Sequence, residues 1–334
     1  MTTTPSDVGD PVLAAGSTVR ARRGAGLFLA LASGALFGTS GTFGDGLLRS
    51  GWSPGAAVLA RIVVAALTLT PFALPRLRRQ RAALRRNARQ VLGYGLIGVL
   101  GCTFCYFYSI ASIPVGIGLL LEYTAAFMVV MWLWLRHGQR PRALTIGGTA
   151  AAIGGLAVMA GVTGAGGLNP AGLAWGLGAA VCMTVFMFIC ESPPSPAAPE
   201  ELAGSPGSPP EELSPVMLTW TGLCVAAVTL AAAGAAGAVP MAATTAPVSF
   251  LGHPVSWIWP VLAVGALSTG AAFITAVAAV RALGAKLATF LGMSEVLFSV
   301  AFAALMLSQV PTATQFAGGA LILLGCALVR ADER

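Results

Sequence analysis

Charge is what this chain has least of. Only 9% of its 334 residues are charged, and Lys286 is its single lysine. A water-soluble chain carries about 25%. With 56% hydrophobic residues and a mean hydropathy of +0.82, there is too little polar surface to clothe a globule, so lipid is the expected solvent. The net charge of +7 does not point to nucleic acid, because the basic residues come in short bursts between long apolar runs.

Other scarcities exclude further classes. The two histidines, His137 and His253, fall in loops, which excludes a membrane histidine proton relay. The six cysteines form no extracellular disulfide framework. Cys102 and Cys105 make a C-x-x-C, but no histidine or second pair accompanies them. They read as small packing residues, and no metal or cofactor is expected. There is no phosphate-binding glycine pattern, and the longest loop cannot form a nucleotide-binding domain, so ATP drive is excluded. No Ser–His or paired Asp arrangement lies in the apolar runs, so an intramembrane enzyme is not expected.

What is present is a series of apolar runs. A crossing needs about 20 residues. Ten candidates fit: 25–48, 54–75, 91–112, 115–135, 143–162, 170–190, 215–238, 258–280, 287–308 and 313–329. Proline opens or closes many of them, as at Pro54, Pro114, Pro141, Pro170, Pro215 and Pro311. The first turn of a helix tolerates it, since its N–H groups are unpaired anyway.

The basic residues orient the runs. With the N-terminus inside, Arg20, Arg22, Arg23, the arginines of 76–89, Arg136, Arg140, Arg142, Arg281, Lys286, Arg330 and Arg334 are all cytoplasmic. Only Arg49 falls in an outer loop and only Arg61 within a span. Both termini are then cytoplasmic, in the inner membrane of a bacterium. Trp52, Trp257 and Trp259 are expected at the outer interface, with Trp175 slightly deeper. Trp132, Trp134 and Trp220 are expected near the inner interface.

The chain divides accordingly. Residues 1–24 read as a disordered cytoplasmic tail, 25–162 as a first five-helix repeat, and 170–329 as a second. Residues 191–213, rich in Pro, Ser, Gly and Glu without Lys or Arg, read as a disordered cytoplasmic linker interrupting the second repeat. Residues 330–334 form a cytoplasmic tail.

The two halves match. Gly147-Gly148, Gly154 and Val158 recur at identical spacing as Gly318-Gly319, Gly325 and Val329. Gln139-Arg140-Pro141 precedes the first set as Gln309-Val310-Pro311 precedes the second. Glu122 in the fourth run corresponds to Glu295 in the ninth. Five crossings per half is an odd number, so the halves are inverted. Inverted halves suit a carrier, which needs inward-open and outward-open states of similar energy; some channels are built this way too. The expected class is an all-α membrane protein of ten helices in a five-plus-five inverted repeat.

At LLEYTAAFMVVMWLWLRHGQRPRALTIGGTAAAIGGLAV and VRALGAKLATFLGMSEVLFSVAFAALMLSQVPTATQFAGGALILLGCALVR the chain resembles the EamA-type branch of the drug/metabolite transporter superfamily. The resemblance covers about residues 25–330. It implies ten helices, a central cavity and secondary transport, often efflux of amino acids, other metabolites or toxic compounds. The chain departs from that family's pattern in two respects. Gln139 and Gln309 stand where the family has Glu, and Tyr123 and Val296 stand where it has Pro.

Candidate working residues are charged or aromatic groups within the runs, since a charge at a helix centre costs about 2.5–3.5 kcal/mol on insertion scales. Glu122 and Arg61 each lie about 10 Å below the outer end of their spans at 1.5 Å per residue. They are placed to pair, either as a lock between helices or as a gate or solute site; Arg61 can also snorkel outward. Glu295 lies about 14 Å deep with no equally deep basic partner. It suits proton coupling, protonated on one side and ionised on the other, or a permanently neutral structural role. Asp45 reads first as a solvated interfacial carboxylate. Tyr106, Tyr108 and Tyr123 either line a cavity or pack. Gly34/Gly38 and Gly172/Gly176 have helix-packing spacing. The expected partners are a small-molecule substrate, protons and the lipid bilayer; a homodimer is admissible.

Overall fold

The computed structural model describes residues 11–113, 115–138, 141–160, 169–191, 213–250, 253–307 and 312–332. They form fourteen α-helices: α1 (Pro11–Arg49), α2 (Pro54–Arg86), α3 (Ala88–Gly93), α4 (Cys102–Ile110), α5 (Val115–Tyr123), α6 (Ala125–His137), α7 (Ala143–Ala160), α8 (Pro170–Cys190), α9 (Pro215–Ala235), α10 (Ile258–Gly265), α11 (Ala272–Leu283), α12 (Ala285–Gly292), α13 (Ser294–Leu307) and α14 (Ala313–Asp332). A π-helical segment, Tyr94–Gly101, joins α3 to α4, and another, Ala266–Ala271, joins α10 to α11.

Among the described residues, eight helical segments are long and apolar enough to cross a membrane. They are Gly24–Arg49, Pro54–Arg86, Ala88–Ile110, Ile117–Arg136, Pro170–Cys190, Pro215–Ala235, Ile258–Leu283 and Ala285–Phe302. Two further apolar helices, Ala143–Val158 and Phe316–Val329, are shorter. Large apolar side chains face outward along them, including Phe28, Leu135, Val228 and Phe316. In water such a surface would aggregate; in lipid it costs nothing.

Helix starts follow local chemistry. Ser53, Asn169 and Ser214 cap α2, α8 and α9, each accepting a backbone N–H of the first turn, and each is followed by proline. Two boundaries differ from the sequence reading. Helix α1 begins at Pro11, within the residues read as a disordered tail. Helix α2 runs through Pro71 and Pro75 to Arg86, so the basic stretch beyond the expected end of the run at 75 is a helical extension. There Gln80 Oε1 accepts both the backbone N–H (3.2 Å) and the hydroxyl (3.0 Å) of Ser214, bracing the start of α9. Residues 192–212 of the linker, Gln139, Arg140 and Gln309 lie outside the described residues.

Helix packing is tightest where glycines meet. Helices α7 and α14 lie on one another, and a methyl group at Gly148 would stand 2.8 Å from the Gly325 carbonyl oxygen. On α1, a methyl at Gly38 would stand 2.9 Å from the Glu295 carbonyl oxygen; on α8, one at Gly176 would stand 2.6 Å from Leu121 Cδ1. The small-residue spacing at 34/38 and 172/176 therefore does serve close helix approach. Helix α1 packs along α11 and α13, α8 along α4 and α5, α2 on α9 and α10, and α9 on Tyr94–Gly101.

The connection after α9 carries a feature with no counterpart in the sequence reading, a two-stranded antiparallel hairpin of β1 (Val248–Phe250) and β2 (His253–Val255). This connection folds over the α1–α2 turn. Trp52 Nε1 donates to the Thr244 carbonyl (2.9 Å), Ser53 N to Ala242 (2.8 Å) and Ser53 Oγ to Pro240 (2.7 Å). Trp52 is buried beneath it, with Trp257 at 5.7 Å. The expectation of Trp52 as an interfacial anchor is thereby corrected; Trp259, Trp132 and Trp134 are exposed as such anchors are.

Candidate functional site

A cavity lies between the helices. Its walls come from α1, α2, the π segment Tyr94–Gly101, α4, α5, α8, α11, α12 and α13. Neither α7, α14 nor α9 contributes to it. Helix α9 packs behind the wall, where its Thr219 hydroxyl meets the Tyr94 hydroxyl at 3.3 Å.

Along α1 the lining runs from Ala30 to Ser40, a length of about 15 Å. At the Ser40 end lies Arg61, 4% exposed. Its Nε donates to Thr269 Oγ1 (2.8 Å), Nη1 to Ser40 Oγ (3.2 Å) and Nη2 to the Ser268 carbonyl (3.3 Å). The guanidinium stands 5.1 Å from the centre of the Phe107 ring, a favourable cation–π contact. Ser268 and Thr269 belong to the π-helical segment Ala266–Ala271, and π turns re-aim backbone groups that an α-helix keeps for itself. Beyond this point the molecule is packed: Phe107, Leu47, Trp52, Ala57 and Val58 are all buried.

Arg61 therefore does not pair with Glu122, and it does not snorkel. The ion pairs among the described residues are Asp45–Arg49, Arg142–Asp332 and Lys286–Asp332. The physical reason is local: three neutral oxygens and a ring face already surround the guanidinium. Glu122 also lines the cavity, and among the described residues no hydrogen bond from protein reaches its carboxylate.

Glu295 lines the same cavity and accepts a hydrogen bond from the Tyr123 hydroxyl at 2.6 Å. Both carboxylates lie beside interruptions of their helices. Thr124 separates α5 from α6, and Met293 separates α12 from α13. At each break the backbone tightens to a three-residue turn: Thr124 N donates to Leu121 O (3.1 Å) and Met293 N to Phe290 O (3.2 Å). Neither break uses proline, so the missing prolines at 123 and 296 do not abolish the interruptions.

The remaining expected residues divide. Tyr106 and Tyr123 line the cavity. Tyr108 lies elsewhere, stacked on Phe104 at 4.4 Å and near Trp175 at 5.3 Å. Asp45 pairs with Arg49 at 2.7 Å and is 39% exposed, as an interfacial carboxylate is. Cys102 lines the cavity wall, and all six cysteines are free. The sequence reading missed Ser40, Ser268 and Thr269, and also an aromatic wall. In that wall Phe37 meets Phe273 edge-on at 5.2 Å, and Phe273 meets Phe186 at 5.8 Å. The adjacent polar pair Ser268-Thr269 in a long apolar run was the available signal.

The family model for the EamA-like transporters matches residues 24–161 and again 208–331, most of the chain in two copies. The chain belongs to the EamA-like transporter family. It is accordingly a multi-pass membrane protein and a membrane transporter of the drug/metabolite type. A solved crystal structure of a protein superposes with a TM-score of 0.67 at 18% identity, over 92% of this chain and 99% of that one. At that identity the likeness concerns the fold alone. No curated protein matches the chain.

Proposed function

We propose that this EamA-like protein is a secondary transporter that exports a small organic solute by alternating access, in exchange for protons. The carrying observation is one cavity that holds two carboxylates at two helix breaks, with a packed, arginine-sealed end beyond. A space closed at one end is what a carrier holds in one of its states; a channel or facilitative pore needs a continuous path.

The ten-span, five-plus-five inverted reading is supported by correspondence between the halves. Shifting by five spans turns the α1–α11 contact into α8–α4, and the contact of α1 with the ninth span (α12 and α13) into that of α8 with the fourth (α5 and α6). The π segments occupy the third and eighth spans, and the breaks the fourth and ninth. With both termini cytoplasmic, as the distribution of arginine supports, the cavity lies on the inner side of Arg61, so this state faces inward.

The chemistry of the walls narrows the solute. Arg61 has three of its N–H groups occupied by protein, whereas Glu122 has a carboxylate without a protein donor. With Phe37, Phe186 and Phe273 nearby, this favours a solute with an amino group and an apolar body. Glu295 is assigned the proton. Its test is substrate-dependent proton flux in proteoliposomes, with Glu295→Gln beside the parent. Unchanged proton-driven transport by the variant contradicts the assignment.

A further inference from the structure

The Tyr123 hydroxyl has one proton and two acceptors. The Gly292 carbonyl oxygen lies 2.8 Å away and Glu295 Oε2 lies 2.6 Å away. A phenol donates one hydrogen bond at a time. The Gly292 carbonyl is open to it because of the break: the Val296 N–H donates to Met293 O (3.2 Å), three residues back, rather than one residue further to Gly292. Tyr123 is itself the last residue of α5, against the Thr124 break, and is 1% exposed. One buried hydroxyl thus ties the interruption in the first half to the interruption in the second, at the carboxyl between them.

We propose that Tyr123 is a two-position hydrogen-bond switch that passes the protonation state of Glu295 to the two helix breaks. The inference rests on Glu295 as the proton carrier. With Glu295 ionised, the hydroxyl donates to the carboxylate, since a charge-assisted bond is about twice as strong as a neutral one. The Gly292 carbonyl then loses its donor. With Glu295 protonated, the carboxyl no longer demands that donor and can donate its own proton to the tyrosine oxygen, while the phenol O–H turns to Gly292. The only proton gained or lost is on Glu295; the phenolic proton stays on its oxygen and changes direction. A buried carbonyl that gains or loses its donor carries a real energetic difference, here applied at the hinge between α12 and α13.

The neighbouring groups leave this role to Tyr123. Arg61 from α2, Tyr106 from α4 and Glu122 from α5 line the same cavity. Arg61 is held by Ser40, Ser268 and Thr269, and among the described residues no basic group lies within ion-pairing distance of Glu295. Helix α1 meets Glu295 with Gly34 and Gly38, and Cys326 of α14 is engaged with the Phe290 carbonyl at 3.0 Å.

Infrared difference spectroscopy between acid and alkaline pH, on the full-length protein in lipid vesicles, tests this without any substrate. A carboxyl band lost in Glu295→Gln belongs to Glu295, and a tyrosine band lost in Tyr123→Phe belongs to Tyr123. The switch requires both bands in the parent, rising with the same pH midpoint. It requires the Tyr123 band to vanish in Glu295→Gln and the Glu295 band to change frequency in Tyr123→Phe. A Glu295 band with no Tyr123 band, or a Tyr123 band that survives Glu295→Gln, overturns the switch alone. No Glu295 band at any pH overturns both the switch and the proton-carrier reading.

Discussion

Arg61 is a charge in an apolar helix, held without a counter-charge. Three oxygens and a ring do the work of a carboxylate, and they demand a planar fork of donors. Lysine has a single ammonium and cannot reach the three acceptors in that geometry. Arg61→Lys should therefore lower thermal stability in detergent, by about 1–3 kcal/mol, nearly as much as Arg61→Ala. Full retention of stability by the lysine variant would contradict the fork. Glu122→Gln should weaken binding of an amine solute about tenfold or more, read by calorimetric titration, while the Glu295 carboxyl band persists. At this scale the sequence was half legible. Glu122, Glu295, Arg61, Tyr106 and Tyr123 stand out as polar or aromatic groups in apolar runs, and all reach the cavity. Tyr108 looks the same in sequence but faces Phe104 and Trp175. Ser40, Ser268 and Thr269 went unread because a hydroxyl can bond its own helix backbone and so need not signal a partner.

At the scale of elements, helix interruptions were the least legible feature. Proline is the usual marker of a break, and the breaks at Thr124 and Met293 have none. Close helix approach was easier to read, because only glycine lets backbones meet. Where α7 and α14 cross, Gly148 and Gly325 face each other's carbonyl oxygens. Gly325→Val should part the two helices and lower the unfolding temperature in detergent, at a cost of about 1–3 kcal/mol, without altering the cavity. An unchanged unfolding temperature would contradict this packing. The connection over the α1–α2 turn was not foreseen, since 236–257 has turn composition and no long period. Trp52→Phe removes its hydrogen bond to Thr244, worth about 0.5–1.5 kcal/mol. Amide hydrogen exchange should then quicken across 239–250 and not in α7 or α14.

For the whole molecule, the repeat and the apolar runs were written in the sequence, because lipid forces every crossing to be a long apolar helix. The direction of the cavity was not, since it depends on residues from nine segments meeting at once. The proposed orientation makes a simple prediction. A reporter fused after Arg334 should be active only in the cytoplasm, and one inserted near Thr244 only outside; the opposite pattern would reverse the inward-facing reading. The central claim is coupled exchange through Glu295. Its most direct measurement is pH-dye fluorescence in proteoliposomes, screening amines and other small organic solutes with the parent and Glu295→Gln side by side. The account predicts a saturable, solute-dependent proton flux that disappears in the variant, whereas an equal flux in both proteins would contradict it.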